Sequence, residues 1–126
     1  MSFLVIRGRR VITQTGVAPA AIHIEHGIIK RVASFDDVPQ DCKVVDAGER
    51  VVMPGLVDTH VHVNEPGRTD WEGFTTAARA AAAGGVTTIV DMPLNSIPPT
   101  TTLEGFKRKL EAARSAECHV DVGFWG

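Results

Sequence analysis

Apolar and polar positions follow two different patterns along the chain. Over residues 1–50 the apolar positions form short or alternating runs, at 4–6, 11–12, 21–24, 28–32 and 44–45, punctuated by Gly8, Gly16, His26-Gly27 and Pro39. None of these runs has a helical period, so they predict a small β-rich unit. Within it Ile22 and Ile24 alternate with His23 and Glu25, and His26-Gly27 then turns into Ile28-Ile29. That pattern predicts a β-hairpin, whose edge accounts for His23 and His26 without a ligand role. The polar stretch Ala47-Gly48-Glu49-Arg50 marks the expected boundary between a first unit, 1–50, and a second, 51–126.

The second pattern begins with Val51-Val52-Met53-Pro54-Gly55-Leu56-Val57-Asp58, an apolar run without polar alternation. It predicts a strand buried on both faces of a parallel sheet, with Pro54 moving the strand proper to residues 55–60. Thr69 with Glu72 has capping-box spacing, and Phe74, Ala77, Ala78, Ala81 and Ala82 give an apolar helical face that stops at Gly84-Gly85. A β-branched run from Val86 to Asp91 predicts a second buried strand. Thr101 with Glu104 opens a second helix whose stripe is Leu103, Phe106, Leu110 and Ala113, and alternation over residues 118–124 predicts a third strand. Strand, helix, strand, helix, strand implies parallel strands joined by crossovers. Three such strands form either a small open α/β protein or part of a truncated (β/α)8 barrel, which takes about 250 residues when complete.

Composition narrows the function classes. In 126 residues, 13 Lys+Arg against 15 Asp+Glu give a net charge of −2, which supplies no field for nucleic acid or anionic lipid. The apolar run at 3–6 is too short for a secretory signal and precedes its arginines, and no stretch approaches the roughly 20 apolar residues of a membrane span. Cys42 and Cys118 are expected to be free thiols in a reducing compartment, which places the protein in the cytoplasm.

His60 and His62 are the sharpest chemical signal, read either as ligands of one metal ion or as surface or polar-core residues at a strand end. Residues i and i+2 of a strand share a face, about 6.6 Å apart along the backbone, so two imidazoles can lean onto one ion. They stand at the C-terminal end of the first parallel strand, the end at which α/β folds keep their sites. Asp58 lies on the same face, a candidate to orient a ligand from behind. Zinc catalysis needs a third protein ligand, and the chain offers few. Asp91 is either an orienting carboxylate or a cap, His119 sits at the wrong end of its strand, and Trp71 is expected to pack at the start of the first helix.

Pro54-Gly55-Leu56-Val57-Asp58-Thr59-His60-Val61-His62 resembles the first-strand signature of the amidohydrolase superfamily, in its cyclic-amide branch of dihydroorotases, hydantoinases and allantoinases. The stretch from Val63 to Phe74, the Ala-rich helix into Gly84-Gly85-Val86-Thr87-Thr88, and Asp91-Met92-Pro93-Leu94-Asn95-Ser96 resemble the allantoinase family most. The likeness covers essentially the whole chain. It implies that 1–50 is part of a small β-sandwich domain and that 51–126 holds the opening strand–helix units of a truncated metal-dependent (β/α)8 TIM barrel.

The resemblance further implies a centre of two divalent ions, zinc, with His60 and His62 as ligands of one of them. A bridging carboxylated lysine, two more histidines and the catalytic aspartate are expected beyond Gly126, so the 126 residues alone are expected to be inactive. The implied reaction is metal-assisted hydrolysis of a small molecule, allantoin, whose hydantoin ring opens to allantoate in purine catabolism. A homotetramer is implied for the full-length parent. Asn64 falls where dihydroorotases carry an arginine suited to a carboxylate, and a neutral amide suits an uncharged ureido-hydantoin. Asn95 and Ser96 are candidate substrate contacts, with turn chemistry as the competing explanation. The alternatives are a dihydroorotase, a hydantoinase or dihydropyrimidinase-like hydrolase, or a non-catalytic scaffold on the same fold.

Overall fold

The computed structural model describes residues 3–126, and the chain divides at Pro54/Gly55 into two compact units. The first unit is one five-stranded sheet of β1 (Phe3–Thr13), β2 (Gly16–Glu25), β3 (Ile28–Ser34), β4 (Lys43–Asp46) and β5 (Val51–Val52). Its order is β3-β2-β1-β4, with β5 also on β1. β1 and β2 pair antiparallel from Phe3↔Glu25 to Thr13↔Gly16, and β4 and β5 follow one another in parallel along the other edge of β1. Gly8 does not interrupt β1 as its composition suggested. The strand runs through it with a bulge between Gly8 and Val11, the device by which an antiparallel ladder absorbs an extra residue.

The predicted hairpin is present as β2–β3. His26 (φ 51°) and Gly27 (φ 77°) both take left-handed backbone, as a two-residue turn matched to strand twist requires. His23, however, is not an edge residue. It lies on an inner strand and is 1% exposed, with its Nε2 3.9 Å from Asp37 Oδ1 and its ring 5.7 Å from that of Phe3. The unit boundary also moves. Because β5 pairs with β1 through Arg10↔Val51 and Val11↔Val52, residues 51–54 go with the first sheet, and Met53 is half exposed.

The second unit alternates as expected: β6 (Leu56–Val61), α1 (Phe74–Ala83), β7 (Val86–Asp91), α2 (Leu103–Ser115) and β8 (Asp121–Phe124), with parallel sheet order β6-β7-β8. Val63, Phe74, Ala77 and Ile89 form its buried centre, closed by Val122, Phe124 and the apolar side of α2. Phe124 stands edge-on to both Phe74 and Phe106, at 6.2 and 5.7 Å between ring centroids. Leu56 and Val57 are more than half exposed. Among the described residues β6 is the edge strand of a three-stranded sheet, so the expected cover on both its faces is not present within them.

Both helix starts shift from their sequence signals. α1 begins at Phe74, with Gly73 as N-cap, and residues 69–72 are turn and loop. The reason is a long-range cap: Glu65 Oε2 accepts the Phe74 N–H at 3.0 Å, and Thr76 Oγ1 accepts that of Gly73 at 3.2 Å. A carboxylate at a helix N-terminus satisfies an orphan donor and meets the positive end of the helix dipole. α2 is capped by Thr102, whose Oγ1 accepts from Gly105 N at 3.1 Å, one residue after the expected Thr101. Trp71 does not pack at the helix start. It is exposed, and the Arg68 guanidinium lies 4.7 Å over its ring.

Candidate functional site

The C-terminal end of β6 is irregular where the two histidines stand. Asp58 pairs with Ile89 and Val61 with Asp91, so Thr59 and His60 together face the single Val90. This bulge leaves backbone groups of β6 without ladder partners, and side chains supply them. Asp58 Oδ1 accepts the His60 N–H at 3.0 Å, and Trp125 Nε1 donates to Thr59 O at 3.0 Å. Bulges re-aim side chains at sheet ends, and here the His60 and His62 rings lie side by side, 5.3 Å between centroids and tilted by 58°. Both side chains are exposed. Asp58 thus acts on the backbone of His60.

Beyond β6 the chain is pinned by a buried ion pair. Val61 O accepts the Met92 N–H at 2.8 Å, and Val63 N donates to Asp91 Oδ1 at 2.7 Å. Lys109 of α2 is wholly buried. Its Nζ lies 2.9 Å from Asp91 Oδ2, donates to Val63 O and sits 5.1 Å from the Phe74 ring centroid. Burial pushes the Asp91 carboxyl above its ordinary range, against the opposing pull of Lys109 and the Val63 N–H. Between the two roles open for Asp91, the structure has it holding the backbone that follows His62.

The loops after β6 and β7 are strapped together. Ile97 N donates to Pro66 O at 2.8 Å, and Arg68 Nη1 donates to Asn95 O at 3.3 Å. At Gly67 (φ 90°) a Cβ would come within 2.7 Å of that of Ile97, so only glycine admits this approach. Asn64 is buried at the base of the first loop, where its backbone carbonyl accepts from Arg68 N at 3.1 Å. Asn95 is exposed with φ 74°, a turn conformation that asparagine tolerates. Ser96 is buried, and its hydroxyl donates to Pro98 O at 3.1 Å inside its own loop.

The structure therefore brings His60, His62 and the backbone contact of Asp58 to one strand end. It sets Asn64, Asn95 and Ser96 in the two adjoining loops. His119 is apart, exposed before β8 and 3.6 Å from Glu117 Oε1. Among the described residues no group of three or more His, Cys, Asp or Glu side chains converges as a complete metal cage. The two imidazoles nevertheless fit a divalent ion: they are adjacent nitrogen donors, exposed, on a backbone held from behind. Two contributors carry no motif in the sequence, Lys109 and Trp125. The signal for Lys109 was its position between Phe106 and Ala113 on the apolar stripe of α2.

Comparison with known proteins adds a family. The sequence model of the amidohydrolase family matches residues 51–126. Over 124 residues the chain is 57% identical to the allantoinase of Streptomyces avermitilis, covering 98% of this chain and 28% of that protein. It is 54% identical over 123 residues to the mitochondrial allantoinase of Aquarana catesbeiana, covering 97% of this chain and 25% of that protein. Among solved structures, the L-hydantoinase (dihydropyrimidinase) of Arthrobacter aurescens superposes on all of this chain and 28% of its own, with a TM-score of 0.86 at 31% identity. The chain thus spans between a quarter and a third of the length of these relatives.

Proposed function

The chain belongs to the amidohydrolase family, and from that premise we propose that it serves a metal-dependent cyclic amidohydrolase whose substrate is allantoin, hydrolysed to allantoate. The observation that carries this reading is the side-by-side pair His60 and His62 at the C-terminal end of β6, in a chain 57% identical to an allantoinase. The 31% identity to the hydantoinase supports the shared scaffold and favours its substrate less.

In this proposal His60 and His62 hold one of two divalent ions, zinc, and the carboxylated lysine, the remaining ligands and the catalytic aspartate come from outside these residues. When bound, the centre supplies Lewis acidity and a hydroxide-generating environment near neutral pH. The chain's own part is to present two neutral imidazole nitrogens in fixed positions. The bulge at Thr59-His60 aims them, and Asp58 and Trp125 saturate the backbone so that it does not compete for the ion or for water. Of the three candidate substrate contacts in the strapped loops, Asn95 is exposed, whereas Asn64 and Ser96 are buried and would reach a substrate only by a change in those loops. Their amide and hydroxyl groups suit a neutral ureido ring, in which every polar atom is a hydrogen-bond donor or acceptor and none is a carboxylate. A cytoplasmic location and a tetrameric assembly belong to the same proposal, checked by fractionation and by light scattering.

The test is turnover and metal content of the intact protein. Allantoin is expected to be hydrolysed in preference to dihydroorotate, hydantoin and dihydrouracil, with zinc bound. His60→Asn with His62→Asn is expected to remove metal and activity together while the fold persists. Preferential cleavage of dihydroorotate, or full metal occupancy in the double variant, would refute the reading.

A further inference from the structure

The peptide that follows His62 has lost its place in the sheet. β6 ends at Val61, and just beyond it both backbone polar groups of Val63 meet side chains instead of a strand. The Val63 N–H, which belongs to the peptide joining His62 to Val63, is taken by Asp91 Oδ1 at 2.7 Å, and the Val63 carbonyl is taken by Lys109 Nζ. Lys109 and Asp91 are in turn paired at 2.9 Å, and both side chains are fully buried. One residue of α2, 46 positions along the chain, therefore reaches through the core to the backbone beside a candidate metal ligand.

Two features argue that this is more than core filling. A buried lysine is costly to desolvate, and a hydrophobic residue of similar volume is often as good or better for stability, so the pair is not required by packing. Its bonds also fall on both polar groups of a single residue, Val63, with the Phe74 ring 5.1 Å from Nζ closing the remaining side. Fixing that residue limits the orientation of the preceding peptide and hence of the His62 Cα–Cβ bond. Outer partners that orient a ligating side chain are commonly worth about 10–100-fold in metal affinity.

We propose that Lys109 is a positioning residue for the His60/His62 pair, acting with Asp91 through the backbone of Val63. The proposal rests on the reading of the two histidines as metal ligands and adds a residue that lies in a different element and touches neither imidazole. No titration is involved; the device is a rigid clamp.

The test uses the intact protein and zinc or cobalt alone. Lys109→Met strands the Asp91 charge and risks the fold, so the informative variant is Asp91→Asn with Lys109→Met, a neutral pair of similar volume. It retains an acceptor for Val63 N–H and releases Val63 O. Zinc affinity is measured by competition with a chromophoric chelator, the cobalt derivative by its visible ligand-field bands, and folding by thermal melts. Ala78→Gly, in the buried face of α1, serves as a control that lowers stability with the clamp intact.

The expected result is a roughly 10–100-fold weaker zinc affinity and altered cobalt bands in the double variant, with wild-type affinity in Ala78→Gly. Unchanged affinity and bands in a folded double variant would overturn the proposal, as would an equal affinity loss in the Ala78→Gly control. If His60→Asn/His62→Asn binds zinc as tightly as wild type, the ligand reading itself falls and takes the clamp's role with it.

Discussion

Gly55 offers a sharp check of how β6 is seated. It is the residue before the strand that carries His60 and leads into His62, and the ladder shifts beside it. Leu56 pairs with Val86 and Val57 with Thr88, leaving Thr87 as an extra residue. The Thr87 side chain consequently covers Gly55, so a Cβ there would lie 2.1 Å from Thr87 Cγ2, 2.3 Å from Oγ1 and 2.7 Å from Cβ. Carbon atoms pack at about 3.5–4.0 Å, so the closest contact is short by roughly 1.5 Å. Rotating Thr87 about χ1 moves its methyl and hydroxyl but leaves its Cβ in place. β6 and β7 must then part by about 1 Å, straining the Leu56 N–H to Gly85 O bond, now 3.0 Å.

Overpacking of this kind costs about 1–3 kcal/mol, and Gly55→Ala is expected to lose that much. The assay is a double-mutant cycle with Thr87→Gly, read by thermal and urea unfolding and by amide exchange at Leu56. The cycle is expected to return a coupling of about 1–3 kcal/mol, with faster exchange at Leu56 in the Gly55→Ala single variant only. A Gly55→Ala protein as stable as wild type, or a penalty that persists undiminished when Thr87→Gly removes the covering side chain, would refute this account of the strand's entry.

Phe74→Ala empties the centre of the second unit, where Phe74 is fully buried against Phe124, and is expected to cost about 3–5 kcal/mol in urea unfolding. Glu65→Ala leaves the Phe74 N–H without its acceptor, and a loss of about 1 kcal/mol is expected, with faster exchange confined to the first turn of α1. Asp46 tests the first unit by pH. The Gly48 N–H, and then the Arg7 guanidinium, hold its carboxyl below the usual 3.8. A carboxyl whose folded pKa is depressed adds stability above the unfolded value and loses it as pH falls through the folded one. Asp46→Asn is therefore expected to be less stable than wild type near neutral pH, with the difference vanishing in acid melts well below pH 3.8. A difference that persists there would contradict the assignment.

The alternating order of strands and helices after Gly55, the turn at His26-Gly27 and the shared placement of His60 and His62 were all legible in the residues. Each is a local property: periodicity reports which face of one element is apolar, a positive φ at two adjacent positions selects its residues, and i, i+2 spacing brings two side chains to the same strand end. The family signature, being a contiguous string, was legible for the same reason. Tertiary structure decided the rest. Thr69 has the right spacing for a cap, yet α1 starts at Phe74 because Glu65, nine residues earlier, reaches its first free N–H. Val51-Val52 open the apolar run expected to start the second unit, yet they pair with β1 of the first. Lys109 stands on the apolar stripe of α2, but nothing local says that its charge is met by Asp91 and its ammonium by the Val63 carbonyl. Such contacts join positions tens of residues apart, where packing and the need to satisfy every buried polar group outweigh local propensity. The amino-acid sequence alone singled out the residues proposed to carry the chemistry, because a motif is a local string; only the folded chain determined what holds them in place, because those contacts join distant positions.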